Sequence, residues 1–336
     1  MSRFNESERM GDRARGDWRW QLRHAVTGAA PELEAFGIPQ AEAERVHRRY
    51  PVKLTPYALE QLSHEDPADP LNLQALPSLE ELVAEEGMAA DPFAEKTRAA
   101  CCYGLKRRFP DRVLVMANDQ CAMACRHCTR KALLGSAEVV RTPAQLAAAV
   151  AWVRAHPEVR EVLLSGGDPL LLSDTRVSAF VRAFAQLPQI DAVRIGTRAP
   201  VTLPMRVTPE LALRLGSFKK VWVNTQFNHA REITPESAAA CARLVEAGVP
   251  VSNQTVLLKG VNDSLGALFD LCTGLQRIRV RPYYVFLCDP VAGIAHLRVS
   301  VRRARQLERE LAVRVGGLAL PRFVMDVPGS RRKIPV

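Results

Sequence analysis

No apolar run in the 336 residues approaches the roughly 18 that a membrane-spanning helix needs. The opening stretch, MSRFNESERM, is polar and charged and has none of the apolar core of a secretory leader. A cytoplasmic location is therefore expected. There is no internal repeat, no low-complexity tract and no G-x-G-x-x-G dinucleotide fingerprint after a strand. The net charge is +10, yet the basic residues are scattered, as in Arg13 to Arg23, Lys106 to Arg112 and Arg302 to Arg309, with no long basic tail and no interleaved aromatics. That pattern reads as solvated basic faces rather than as a nucleic-acid-reading surface. The eight cysteines lack the paired spacing and the secreted setting of a disulfide framework.

What is present divides in two. Residues 1–100 read as a polar helical extension: DWRWQLRHAV, PELEAFG, PQAEAERVHRRY and LTPYALEQL, then breaks at Pro67, Pro70 and Pro77, then SLEELVAEEG as a capped helix. Residues 101–336 alternate short β-rich runs with helical stretches. The expected strands are 112–118, 161–166, 192–197, 220–226, 250–258 and 279–286, with a final run at 318–327. Six strand–helix units of this spacing predict an α/β fold, a partial (β/α)6 barrel, whose chemistry gathers at the carboxyl ends of its strands. Cys241 and Cys272 fall in apolar helical patterns and read as small core residues.

Directly after the first of these strands stands CAMACRHCTRK, with Cys121, Cys125 and Cys128 in one loop. Thiolates suit zinc and iron–sulfur clusters. Structural zinc takes four protein ligands, and no fourth cysteine follows at the usual distance; His127 adjoins Cys128 and points elsewhere. Three cysteines instead suit a [4Fe–4S] cluster with one open iron. A second signal, SGGDPLL (165–171), follows the next strand. Its Gly166 and Gly167 permit close backbone approach to a ligand.

The CxxxCxxC loop and the GGD stretch, in that order on consecutive units, resemble the radical S-adenosylmethionine superfamily. The likeness extends through FPDRVLVMANDQCAMACRHCTRK, RIGTRAPVTLPMRVTPEL, VNTQFNHAREIT, NQTVLLKGVND, RVRPYYVFLCD and LPRFVMDVPGSRRKIPV, and there it is similar to the lysine 2,3-aminomutase family. That resemblance implies an isomerase. It moves an amino group from Cα to Cβ of an amino acid by way of a 5′-deoxyadenosyl radical, and it needs S-adenosylmethionine and pyridoxal 5′-phosphate beside the cluster.

The resemblance also implies residue roles. Lys333 forms the Schiff base with pyridoxal phosphate; read without the family it is a solvated tail charge. Arg108 and Arg112 bind the cofactor phosphate, and Phe109 stands where a tyrosine is expected. Ser165, Gly166, Gly167, Asp168 and Gln254 are cofactor-binding. Arg130 clamps the substrate carboxylate, and Asp289 and Asp326 hold the substrate's ε-ammonium. Two acids facing a substrate side chain attract a cation and repel glutamate. Lysine is therefore the expected substrate, with arginine or ornithine as cationic alternatives.

Long family members carry a cysteine-bearing tail and a cysteine near the place of Ser264; neither is present, so no structural zinc is expected and a dimer replaces a larger swapped assembly. A flavodoxin- or ferredoxin-type protein is the expected reductant. A short relative that makes β-lysine for an elongation factor, and a non-catalytic iron–sulfur or nucleic-acid sensor, are the rival readings. Cys101 and Cys102 have no assigned role.

Overall fold

The computed structural model describes residues 15–94, 104–132 and 140–336. Cys101 and Cys102 lie outside them. The segment 15–94 is helical but less regular than expected, and it includes a two-stranded antiparallel pair, β1 (Val26–Thr27) with β2 (Lys53–Leu54). Nine further strands form one sheet in strict chain order. They are β3 (Leu105–Phe109), β4 (Arg112–Asn118), β5 (Glu161–Gly166), β6 (Ala192–Gly196), β7 (Val221–Thr225), β8 (Val251–Leu257), β9 (Arg281–Leu287), β10 (Arg322–Met325) and β11 (Ile334–Pro335). Every pairing from β4 to β10 is parallel, and the two edges, β3 on β4 and β11 on β10, are antiparallel. No pairing joins β3 to β11 among the described residues, so the sheet curls without closing.

Six strand–helix units build it, as the alternation predicts. Their helices are Pro143–Arg154, Asp174–Ala185, Pro209–Gly216, Pro235–Glu246, Leu265–Arg277 and Val301–Ala312. Local chemistry sets their starts. Thr142, Ser173, Thr208, Thr234, Ser264 and Ser300 each accept a bond from the first-turn backbone, three of them just before a proline at the first position. The main core lies between sheet and helices, where Val162, Leu164, Val193, Ile195, Val223 and Phe184 are fully or almost fully buried. Cys241 sits in this core and Cys272 in a second apolar cluster with Leu268, Leu307 and Phe323, and burial pushes both thiols up to about 12.

Two strands of the sheet escape the sequence pattern. The β3 stretch LKRRF is too polar to read as a strand, and β11 is two residues long. In the extension, SLEELVAEEG keeps its capping box, Ser78 with Glu81, but makes only a single 3-10 turn, Leu79–Leu82. The apolar core of the extension reaches the cysteine loop: Met123 belongs to it and Cys125 packs against it. No helix among the described residues is long and apolar enough to cross a membrane.

Candidate active site

The loops that follow β4 and β5 are sewn together before any ligand is considered. Gly167 N donates to Asn118 O at 2.7 Å, Asp168 N to Gln120 O at 2.6 Å, and Asn118 Nδ2 to Asp168 O at 2.9 Å. A Cβ at Gly166 would lie 2.3 Å from Asn118 O, and one at Gly167 2.2 Å from Gln120 O. Gly166 also has φ +115°, which side-chain-bearing residues avoid. These glycines permit a close approach of the chain to itself, and both also line the cavity described below. Asp168 is similarly committed. Its carboxylate accepts from Thr197 Oγ1 at 2.6 Å, Arg198 N at 2.8 Å and Leu170 N at 3.0 Å. It ties the ends of β5 and β6 together, with burial raising its pKa against those bonds.

The cysteine loop is braced from behind by the extension. Ala124 N donates to Lys53 O and Arg126 N to Gln74 O, both at 2.9 Å. Glu81, Arg126 and Lys131 form a buried ionic group, each cation 2.5 Å from Glu81 Oε2. On its front face Cys125 Sγ accepts from Arg198 Nη1 at 2.9 Å, and Cys128 Sγ from Arg130 N at 3.3 Å. Burial raises the Cys121 and Cys128 thiols, and the nearness of the other cysteines raises them further. His127 also lines that cavity, but its Nε2 is taken up by Gln226 Nε2 at 2.7 Å, and burial holds the ring neutral.

Among the described residues no three His, Cys, Asp or Glu side chains close on one point, as a single ion requires. A four-iron cube takes its thiolates at separate corners. The donor set, three soft sulfurs on one loop with a cation against one of them, fits such a cluster.

All three cysteines line a cavity of about 380 Å³ at the carboxyl ends of the strands. Ser165, Gln254 and Arg130 line it too. Arg108, Arg112, Asp289, Asp326 and Lys333 complete the lining. Lys333 Nζ is 3.1 and 3.2 Å from the oxygens of Asp326, and Arg108 Nη2 is 3.7 Å from the same carboxylate. Burial pulls the Lys333 ammonium below its ordinary range, against Asp326. Asp289 is pushed up to about 7, by burial first and then by Asp326, with Arg108, Lys333 and Arg130 opposing. Lys333 also rests on the Phe286 ring, 4.2 Å from its centroid. Arg112 is engaged bidentately by Asp111, at 2.8 and 3.0 Å, while still reaching the cavity. Phe109 gives Arg112 a ring surface at 5.0 Å in place of a hydroxyl.

Every site residue expected from the sequence therefore borders this one space. Sequence reasoning missed Gln74, Thr197, Arg198 and Glu232. Thr197, Arg198 and Glu232 fall in the stretches RIGTRAPVTLPMRVTPEL and VNTQFNHAREIT, but nothing in the residue pattern gave them a role, and Gln74 carried no signal at all.

The Radical SAM superfamily matches residues 117–272. An L-lysine 2,3-aminomutase of Clostridium subterminale is 41% identical over 325 residues, 95% of this chain and 77% of that one. An L-lysine 2,3-aminomutase of Acetoanaerobium sticklandii is 40% identical over 323 residues, 95% of this chain and 78% of that one. A glutamate 2,3-aminomutase of Clostridioides difficile is 35% identical over 327 residues, with 95% and 77% covered. Identity at this level, carried across nearly the whole length, places the chain in the lysine 2,3-aminomutase family of radical S-adenosylmethionine enzymes: it is an isomerase that works with a [4Fe–4S] cluster, S-adenosylmethionine and pyridoxal phosphate.

Proposed function

We propose that the substrate is L-lysine and the product β-lysine, and that the residues expected from the sequence carry the roles given to them. Cys121, Cys125 and Cys128 hold the cluster, and Ser165, Gln254 and the backbone at Gly166 and Gly167 face S-adenosylmethionine. Asp168 belongs to the same cofactor-binding set, while three bonds to its oxygens also hold its loop in place. Lys333 carries pyridoxal phosphate, with Arg108 and Arg112 on the phosphate. Arg130 takes the substrate carboxylate.

When bound, the three groups supply a carbon-centred radical and an electron-accepting ring. The protein's part is to place Cβ of the substrate between them and to keep water out. A depressed Lys333 pKa favours the neutral amine that can be displaced and re-formed.

The observation that carries the substrate assignment is the pair of carboxylates. Two acids, Asp289 and Asp326, meet three cations in the cavity, Arg108, Arg130 and Lys333. In the working state Arg108 would be engaged by the phosphate and Arg130 by the substrate carboxylate, while Lys333, once displaced from the cofactor, is an amine whose charged form burial disfavours. Both acids are then left for a positive side chain. The Lys333 ammonium resting on Asp326 supports this reading, since that carboxylate already holds a cation at the cavity. A glutamate side chain there would face like charge at a cost of several kcal/mol.

A cytoplasmic location, a dimer and a flavodoxin- or ferredoxin-type reductant belong to the same proposal. The experiment is anaerobic reconstitution with iron, sulfide and pyridoxal phosphate, then assay of lysine, arginine, ornithine and glutamate with S-adenosylmethionine and dithionite. β-Lysine is the expected product. Product from glutamate alone would overturn the assignment.

A further inference from the structure

Arg198 stands just past β6, outside the set of residues given roles in the proposed reaction. Its side chain is 9% exposed, and four of its N–H groups are engaged. Nη1 donates to Cys125 Sγ at 2.9 Å, Nη2 to Gln74 Oε1 at 2.8 Å and Glu232 Oε1 at 2.5 Å, and Nε to Gln226 O at 3.1 Å. Its backbone N–H is held by Asp168. These partners come from the extension, the cysteine loop, the loop after β7 and the 3-10 turn Ala230–Glu232. A guanidinium fixed from four directions cannot swing away, and it presents a buried positive charge to one sulfur.

We propose that Arg198 is a positioning residue for the cluster: it locks Cys125 in place and sets the potential at which the cluster takes up its electron. The inference rests on the assignment of Cys125 to the cluster.

The physical reason is electrostatic. A cluster held by three thiolates gains negative charge when an external low-potential donor passes it one electron. A charge-assisted hydrogen bond to a ligand sulfur stabilises the reduced form more than the oxidised form and raises the potential. Such outer partners tune a metal centre as much as its ligands do. Glu232 tempers the effect, because it neutralises part of the same guanidinium. Gln74 is neutral and serves geometry alone; through it the extension reaches the cluster environment. Arginine keeps its proton throughout, so reduction at this contact is a pure electron transfer.

The test compares wild type, Arg198→Met, Arg198→Lys and Glu232→Gln. Each is reconstituted anaerobically, its iron and sulfide are counted, and its midpoint potential is measured by redox titration with the spin signal of the reduced cluster. Arg198→Met is expected to lower the midpoint by about 59 mV, a tenfold loss in the reduction equilibrium for a one-electron couple. Lysine should restore part of that shift. Glu232→Gln should move the midpoint the other way. Full clusters with wild-type midpoints in Arg198→Met and Glu232→Gln overturn the inference. If Arg198→Met binds no iron, Glu232→Gln decides alone, since it retains the arginine; an unchanged midpoint there overturns it equally. Absence of a cluster in wild type would instead overturn the assignment of the three cysteines, and this inference with it.

Discussion

The Nζ of Lys333 lies 3.1 Å from Asp326 Oδ2, so the lysine expected to carry pyridoxal phosphate sits on a carboxylate expected to read the substrate. On the proposed roles, one anion would serve two cations in turn. While Lys333 is a free ammonium, Asp326 holds it inside the cavity. Once that nitrogen is engaged elsewhere, the carboxylate is open to an incoming ammonium.

Asp326→Asn removes this shared anion. Lysine binding should weaken by about 2 kcal/mol or more, roughly 30-fold in KM, because a buried charge loses its partner. Steady-state kinetics with lysine reads this directly. Neutral amino acids should lose far less, and an equal loss for both would show that Asp326 does not read charge.

Asp289 makes activity and stability depend on pH in opposite senses. Folding raises its pKa from 3.8 to about 7. A raised acid contributes stability below its ordinary pKa and loses it as pH climbs through its folded value. Ligand-free protein should therefore become less thermostable between about pH 4 and 7 through this group. Binding of a cationic side chain should strengthen over the upper part of that window, as the carboxylate forms. Melting curves across pH and the acid limb of kcat/KM measure the two effects, and Asp289→Asn should flatten both.

The glycines of the GGD stretch make a sharper stability test. In Gly167→Ala the new methyl would lie 2.2 Å from Gln120 O and 2.6 Å from Gln120 N, both backbone. Either loop must move, at a cost of about 1–3 kcal/mol in overpacking. Thermal unfolding and iron content should both fall. Gly266→Ala, in the helix Leu265–Arg277 with nothing within 4 Å, should instead gain up to about 1 kcal/mol.

Glu81 offers another stability test. It is 1% exposed and is the shared counter-ion of Arg126 and Lys131, both carried by the cysteine-loop stretch CAMACRHCTRK. Glu81→Ala strands two buried cations and should cost about 3–5 kcal/mol. Denaturant unfolding of the apoprotein checks the figure, and cluster assembly should suffer in step. A loss below about 1 kcal/mol would place the group among weak surface pairs.

The pattern of residues marked out β4 and β5 at their observed limits, because RVLVMAN and EVLLSG are apolar runs bounded by turn chemistry. Helix starts are local in the same way, since each barrel helix follows a Thr or Ser cap, in three cases before a proline. The polar LKRRF of β3 defeated that logic. Its strand character comes from pairing with β4, a contact that the pattern does not express. The capping box at Ser78 was visible, but the helix it announced stops after one turn, and Glu81 is drawn to Arg126 and Lys131 instead.

By itself, the amino-acid order determined the strand–helix alternation, the helix starts and the grouping of three thiols in one loop, all properties of neighbouring residues. Which charges meet was decided only by the tertiary structure. Arg198 and Cys125 are 73 positions apart, and Asp289 and Asp326 follow different strands. They converge because parallel strands deliver their carboxyl ends to one side of the sheet, where the curl of the open barrel turns distant loops toward a common cavity.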